Sequence, residues 1–286
     1  MKAHRGATAR RVAAIQIRAR GTPEENLAQA EVHIGAAAAA GANLVVLPEH
    51  FVYYNVKDLV AAAETEISPS GPARSFFARQ ARKYNIWLAA GTLPLFAANT
   101  KAQPRAAALM YAPSGEEVAR YDKIHLFDVV VAATGKRYCE SDRYNPGSEA
   151  VTVDSTCGRI GMSVCYDLRF PELYRILANQ GAELLIAPSA FTANTGAAHW
   201  RLLLQARAVE NLCYVVGANL CDREHEAKPT WGGSAIIDPW GEVLAELDDE
   251  EGFVLAPVDL ARVAKLRQDM PVLNHQRFQT SLKDDV

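Results

Sequence analysis

Gly161-Met162-Ser163-Val164-Cys165-Tyr166-Asp167-Leu168-Arg169-Phe170-Pro171-Glu172 joins two kinds of secondary structure. The apolar run 159–165 reads as a strand, and Pro171 marks the first turn of a helix, where a missing N–H costs nothing. Leu173, Ile176 and Leu177 then recur at helical spacing. A strand that feeds a helix is the building unit of an α/β fold. Cys165 stands at the joint, at the strand's carboxyl end and near the N–H groups and positive dipole end of the helix. Such a position favours a thiolate and is analogous to a nucleophile elbow, in which the next N–H, here that of Tyr166, faces an oxyanion. An inert, buried strand-end cysteine is the alternative this stretch leaves open.

The same alternation extends outward in both directions. Toward the C-terminus, 183–187 reads as a strand and 197–211 as a helix with Trp200, Leu203, Leu204 and Ala208 inward, followed by a strand over 212–219. Toward the N-terminus, strands fit 150–154, 86–93, 43–47 and 11–19, and a helix fits 73–84. Thr22-Pro23-Glu24-Glu25 offers a capping box, and Leu27, Ala30, Ile34 and Ala38 carry a helix to Gly41. Residues 106–111 and 116–121 form a hairpin around Pro113-Ser114-Gly115, while 127–147 reads as loop. Three short strands surround Asp238-Pro239-Trp240-Gly241, and a helix starts near Leu260. Alternation alone would give a doubly wound parallel sheet; the hairpins at 106–121 and 232–258 favour a mixed pair of sheets flanked by helices. No linker or repeat divides the chain, so a single domain is expected over 11–270, between tails at 1–10 and 271–286.

The 286 residues are 49% hydrophobic and 22% charged, which suits a globular domain with a sizeable core. Thirty Lys+Arg against 33 Asp+Glu leave a net charge of −3, which gives no electrostatic footprint for nucleic acid or an anionic membrane. The charge-free stretches 34–48 and 184–200 contain Gly, Asn or Pro and fall short of a membrane span. The basic N-terminus runs directly into a strand without a signal-peptide core, so a cytoplasmic protein is expected. Cysteines 139, 157, 165, 213 and 221 are odd in number, sparse, and never spaced C-x-x-C, which leaves room for one of them to be chemical. No dinucleotide or P-loop signature follows any strand.

Two further residues end strand-like runs. Glu49 follows Leu44-Val45-Val46-Leu47-Pro48, and Lys123 lies in Arg120-Tyr121-Asp122-Lys123-Ile124-His125-Leu126-Phe127. Each has an ordinary reading, a salt-bridged acid and a solvated lysine. If the three converge, Glu49 takes the proton of the Cys165 thiol as it attacks, Lys123 offsets the charge, and Lys123 with the Tyr166 N–H steadies the oxyanion, at about 3 kcal/mol per donor. His50, His125 and His199 lack metal-ligand spacing and read as buried histidines bonded to backbone.

Taken in order, these fragments resemble the nitrilase superfamily of carbon–nitrogen hydrolases, with its Glu-Lys-Cys triad. The matching blocks are Leu47-Pro48-Glu49, 121–128, 165–172, Pro188-Ser189-Ala190-Phe191, Thr195-Gly196 to Ala198-His199-Trp200, 205–211 and 238–242. The resemblance implies an α/β fold of α-β-β-α sandwich type, assembly as a homodimer or larger, no metal and no organic cofactor. It makes Glu49 the general base, Lys123 the oxyanion cation and Cys165 the nucleophile, and it adds Glu140 of Cys139-Glu140-Ser141, a second glutamate orienting Lys123 and substrate. His125 to Asp128, Glu140-Ser141 and the ending 267–273 look most like the small-amidase group. The implied substrate is a small carboxylate-bearing amide, deaminated glutathione first and 2-oxoglutaramate next, hydrolysed through a thioester with release of ammonia. Arg169 is the candidate for the carboxylate, unless it pairs with Glu172 or Asp167, and Thr195 is a candidate hydroxyl donor. A nitrile hydrolase and a non-catalytic interaction protein on the same fold are the rivals. Two departures from the family pattern fall near the pocket, a slightly long segment at 129–139 and Trp231-Gly232-Gly233-Ser234.

Overall fold

Along β1 (Arg10–Gln16), Val12 and Ala14 face one way, Ala13 and Ile15 the other, and both sides are fully buried. A strand buried on both faces lies between two layers. The structure, a computed structural model, describes residues 10–97, 103–131 and 135–279. The expected tail over 1–10 thus lies outside the described residues except for Arg10, as do residues 280–286 of the expected C-terminal tail.

The capping box forms as read: Glu25 N–H donates to Thr22 Oγ1 at 3.3 Å and Thr22 N–H to Glu25 Oε2 at 2.8 Å. It starts α1 (Pro23–Ala39), after which come β2 (Leu44–Val46), α2 (Leu59–Thr65), α3 (Pro72–Tyr84), β3 (Trp87–Leu95) and the hairpin β4 (Arg105–Tyr111) with β5 (Glu117–Asp122). Helix α2 has no counterpart in the sequence reading; its one clear signal is Asp58, which caps Ala61 N–H at 2.9 Å. Residues 127–147, read as loop, hold a small antiparallel pair, β6 (Val129–Val131) with β7 (Lys136–Tyr138), and a 3-10 turn at Glu140–Asp142. The β-branched run Val129-Val130-Val131 explains the pairing. Residues 132–134 of the long 129–139 segment lie outside the described residues.

The second half runs through β8 (Thr152–Ser155), β9 (Gly158–Met162), α4 (Pro171–Asn179), β10 (Leu184–Ser189), α5 (Ala193–Asn211) and β11 (Tyr214–Asn219). The short pair β12 (Cys221–Asp222) and β13 (Thr230–Trp231) follows, then β14 (Ala235–Ile237), β15 (Val243–Glu246), β16 (Gly252–Val258) and α6 (Leu260–Asp269). Helix α5 begins four residues before the expected Ala197, because Thr192 caps it by accepting from Thr195 N–H at 3.4 Å. Strand β9 ends at Met162, and Cys165 opens a separate five-residue 3-10 turn, Cys165–Arg169.

Two six-stranded sheets result, in the orders β16-β1-β2-β3-β4-β5 and β15-β14-β11-β10-β9-β8. The segment 232–258 is only half a hairpin. Strands β14 and β15 pair across the Asp238 turn, but β16 crosses to the other sheet and lies antiparallel to β1. Val12, Leu44 and Val46 of the first sheet share one apolar cluster with Ile160, Ile186 and Val215 of the second, so the sheets pack face to face. Helices α1 and α3 cover the outer face of the first through Ile34 and Phe77; α4 and α5 cover the second through Leu177 and Trp200. The architecture is an α-β-β-α sandwich without a closed barrel. Among the described residues no helix is long and apolar enough to cross a membrane.

Candidate active site

Glu49, Lys123 and Cys165 leave the carboxyl ends of β2, β5 and β9 and meet in one crevice between the sheets. Two tight backbone turns place them. Cys165 at φ 49° and His50 at φ 58° both occupy the left-handed region, which side chains other than glycine seldom adopt and which marks imposed strain. Gly91 makes room for the turn at His50: a Cβ there would fall 1.6 Å from the Pro48 carbonyl oxygen.

Glu49 and Lys123 are each 2% exposed and Cys165 8%. Buried ions demand partners, and they have them. Lys123 Nζ donates to Glu49 Oε1 at 2.8 Å and to Glu140 Oε1 and Oε2 at 2.9 and 2.7 Å. Glu49 Oε2 accepts from the Ala190 N–H at 3.0 Å, and Glu140 Oε2 from the Phe127 N–H at 2.7 Å. The Cys165 thiol shares this buried crevice with the Glu49 carboxylate, whose charge acts on it, and with Ala190. Glu140, which only family resemblance had suggested, therefore holds the lysine as directly as Glu49 does.

These contacts set the resting charges. Burial pushes Lys123 down, but Glu140 and Glu49 outweigh it and raise the ammonium well above its ordinary value. Burial pushes Glu140 up, but Lys123 and His50 hold it well below the usual carboxylate range. At Cys165 burial and then the Glu49 carboxylate push the thiol well above its ordinary value, and Lys123 opposes them only in part. The sequence reading that the strand–helix joint favours a thiolate is thus corrected. The residue opens a short turn rather than a long helix, is buried, and faces a carboxylate.

Asp167 fixes the turn that carries Cys165, a role the sequence reading did not assign. Its fully buried carboxylate accepts from Tyr121 OH at 2.7 Å and Val164 N–H at 2.8 Å through one oxygen. Through the other it meets the His125 N–H at 3.2 Å and His125 Nδ1 at 2.7 Å. Tyr121 and His125 flank Lys123, so one side chain ties the nucleophile's turn to the lysine's strand. The signal present in the sequence was the acid itself, two residues after Cys165. Tyr166 follows Cys165 at the start of the turn, where N–H groups lack an acceptor within it, and lines the cavity.

The histidines bond side chains rather than backbone carbonyls. His50 Nδ1 lies 2.9 Å from Thr92 Oγ1, which also accepts the His50 N–H at 3.1 Å. Its Nε2 lies 3.5 Å from both Glu49 Oε1 and Glu140 Oε1. Glu49, His50 and Glu140 place ligand-type atoms within 4.8 Å of one another, as a metal site would. Lys123 Nζ lies against both carboxylates, so an ammonium already holds the cation's position.

Above the crevice opens a cavity of about 380 Å³, within the usual range for small organic ligands. Arg169 and Thr195 both line it. Arg169 pairs with neither Glu172 nor Asp167. Its guanidinium reaches His199 Nδ1 at 3.3 Å and lies over the Tyr166 and Phe191 rings, 5.8 Å from each centroid. Thr195 Oγ1 is engaged with Thr192 Oγ1 at 2.8 Å, so its hydroxyl is shared with the start of α5. Cys139 is half-buried on the cavity wall, while Cys157, Cys213 and Cys221 are fully buried in the packing. Of the second departure, none of Trp231-Gly232-Gly233-Ser234 lines the cavity, though the preceding Thr230 does, and the Trp231 ring lies 3.8 Å under the Arg223 guanidinium.

Residues 11–268 match the Carbon-nitrogen hydrolase family. The chain belongs to that family. A deaminated glutathione amidase from Synechocystis sp. is 40% identical over 93% of this chain and 97% of its own. The human omega-amidase NIT2 is 37% identical over 94% and 96%. Among solved structures, Nit3 of Saccharomyces cerevisiae, a member of branch 10 of the nitrilase superfamily, superposes with a TM-score of 0.84 at 30% identity, covering 94% of this chain and 97% of that one. The Caenorhabditis elegans NitFhit protein superposes with a TM-score of 0.87 at 35% identity, over 98% of this chain and 69% of that one. This carbon–nitrogen hydrolase is an amidase-type enzyme, acting on carbon–nitrogen bonds other than peptide bonds.

Proposed function

We propose that this hydrolase is a cysteine-dependent amidase of small carboxylate-bearing amides, with deaminated glutathione the preferred substrate and 2-oxoglutaramate the next. The observation that supports the mechanism is the meeting, in one buried crevice, of the Cys165 thiol with a Glu49 carboxylate that Lys123 and the Ala190 N–H hold in place. Sγ attacks the amide carbon while its proton passes to Glu49. The carbonyl oxygen becomes an oxyanion, steadied by Lys123 Nζ and the Tyr166 N–H. Collapse breaks the carbon–nitrogen bond, and Glu49 returns the proton to the departing nitrogen. The expected ammonia leaves only from 2-oxoglutaramate, a primary amide; from deaminated glutathione, a secondary amide, the departing group is instead the amine of the remaining dipeptide. Glu49 then takes a proton from water as that water attacks the thioester, and the thiol is released with the acid product.

Arg169 is the cation that receives the acyl-side carboxylate, because it faces the cavity and, among the described residues, pairs with no acid. Thr195 stands beside it as a hydroxyl partner. The enzyme is proposed to work as a cytoplasmic homodimer, with exposed Leu202, Val209 and Trp240 as its apolar surface; sedimentation as a monomer would contradict the assembly. A panel of primary and secondary amides with product analysis tests the substrate class. Hydrolysis of the two 2-oxo acid amides at rates well above neutral amides is expected, and equal rates on neutral amides would refute the class.

A further inference from the structure

Arg169 is one cation on the cavity wall, and Lys228, Arg143 and Lys136, from two stretches of the chain, supply further cations there. Lys228 Nζ donates to the Tyr54 carbonyl at 3.1 Å and lies 4.8 Å from the centroid of the Tyr54 ring. Arg143 donates to the Val56 carbonyl at 2.9 Å, and Lys136 Nζ to the Ala227 carbonyl at 2.5 Å, one residue from Lys228. All three cations line the cavity. The acceptors named are neutral carbonyls, and among the described residues no carboxylate lies within ion-pair distance of Lys228 or Arg143.

Burial, then the like charges of Arg143 and Lys136, push the Lys228 ammonium below its ordinary value. Like charges drawn together in a concave, partly desolvated wall repel one another, and a bound anion relieves that repulsion. Bulk composition does not impose the arrangement, because the chain as a whole carries −3. The cavity thus offers a cationic station at Lys228 and Arg143 in addition to Arg169, with Cys165 also on its wall.

We infer that Lys228 and Arg143, with Lys136 beside them, receive a second substrate carboxylate, carried on the amine side of the scissile amide, while Arg169 takes the acyl-side one. The inference rests on the proposed amidase reading and narrows it. The preferred substrate is then a dianion with a carboxylate on each side of the bond that breaks. Deaminated glutathione has that form, with its glycine carboxylate on the departing part, whereas 2-oxoglutaramate loses only ammonia and leaves the second station empty.

Binding is measured by calorimetry to the Cys165→Ala protein, which separates recognition from turnover, using deaminated glutathione and its analogue with the glycine carboxylate capped as a carboxamide. Loss of one charge-assisted pair should weaken the capped compound about tenfold. Adding Lys228→Met and Arg143→Met should weaken the acid to the level of the capped compound and leave the capped compound within about twofold, given that its neutral end gains nothing from the cations. Equal affinities for the two compounds in Cys165→Ala, or binding of neither, overturns the second station. Discrimination that persists while the wild-type enzyme fails to hydrolyse deaminated glutathione would instead overturn the amidase reading and leave the anion site standing.

Discussion

The Cys165 thiol is held protonated by burial and by the carboxylate that is to receive its proton. A resting thiolate beside Glu49 would place two anions together, so proton transfer must accompany attack. Alkylation by iodoacetamide, which follows the thiolate fraction, should therefore rise with pH only beyond the ordinary thiol range. In Glu49→Gln that rise should move to lower pH, because the second cause of the upward shift is gone, while amide turnover falls by about 10² to 10⁴ with the loss of the base. An unchanged alkylation profile would separate Glu49 from the thiol. Glu140 makes a complementary claim on stability. Its folded carboxyl titrates below its unfolded value, so its contribution is complete above the ordinary carboxylate range and is lost as pH falls through the folded value. Lys123, raised when folded, contributes at pH below its unfolded value and loses that contribution as pH rises through the folded one. Thermal unfolding of Glu140→Gln across pH should show a flatter acid limb than wild type; an identical limb would contradict the assignment.

The short turn Cys165–Arg169 depends on Asp167 more than on its own hydrogen bonds. Asp167→Asn keeps the shape but exchanges an acceptor for an amide that cannot serve the Tyr121 hydroxyl, the Val164 N–H and His125 together. Leaving one buried donor unpaired costs about 1–3 kcal/mol of stability, read as a lower midpoint in urea. As a positioning residue it should also lower kcat with KM little changed, a split that a purely structural loss would not produce. The element scale also shows what sequence could convey. The capping box of α1, the hairpin β4–β5 and the proline start of α4 follow local chemistry and stand where the residues place them. Strand β16 does not, since its partner β1 lies more than two hundred residues away and nothing local distinguishes pairing with β1 from continuing the β14–β15 meander. The pair β6–β7 was hidden for a related reason, its three-residue strands being too short for an alternation to register.

Across the whole molecule, β16 closes the edge of the first sheet and joins the chain's end to its beginning. Deleting residues 252–286 would expose β1 along its full length, and an open apolar edge invites pairing between chains. Aggregated protein is the expected result on size-exclusion chromatography; a monodisperse, active product would contradict the role given to β16. The site was legible as residue types at strand ends, since Glu49 and Cys165 each follow an apolar run and Lys123 ends a hairpin strand. Their convergence was legible only through the ordered family blocks, because distances across two sheets leave no trace in spacing. The protonated state of Cys165 and the tie at Asp167 were not legible, for both arise from burial and from partners on other strands. Local charge escaped the bulk count in the same way: a chain of net −3 gathers Lys228, Arg143 and Lys136 on one cavity wall.

The mechanism requires a covalent acyl–Cys165 intermediate formed with Glu49 as base. Intact-mass analysis of the enzyme quenched during turnover of deaminated glutathione tests it most directly. A mass increase matching the 2-oxo acyl group, mapped to the peptide bearing Cys165 and absent from Cys165→Ala, is the predicted result. Sustained hydrolysis by Cys165→Ala, or an acyl group mapped to another residue, would contradict it.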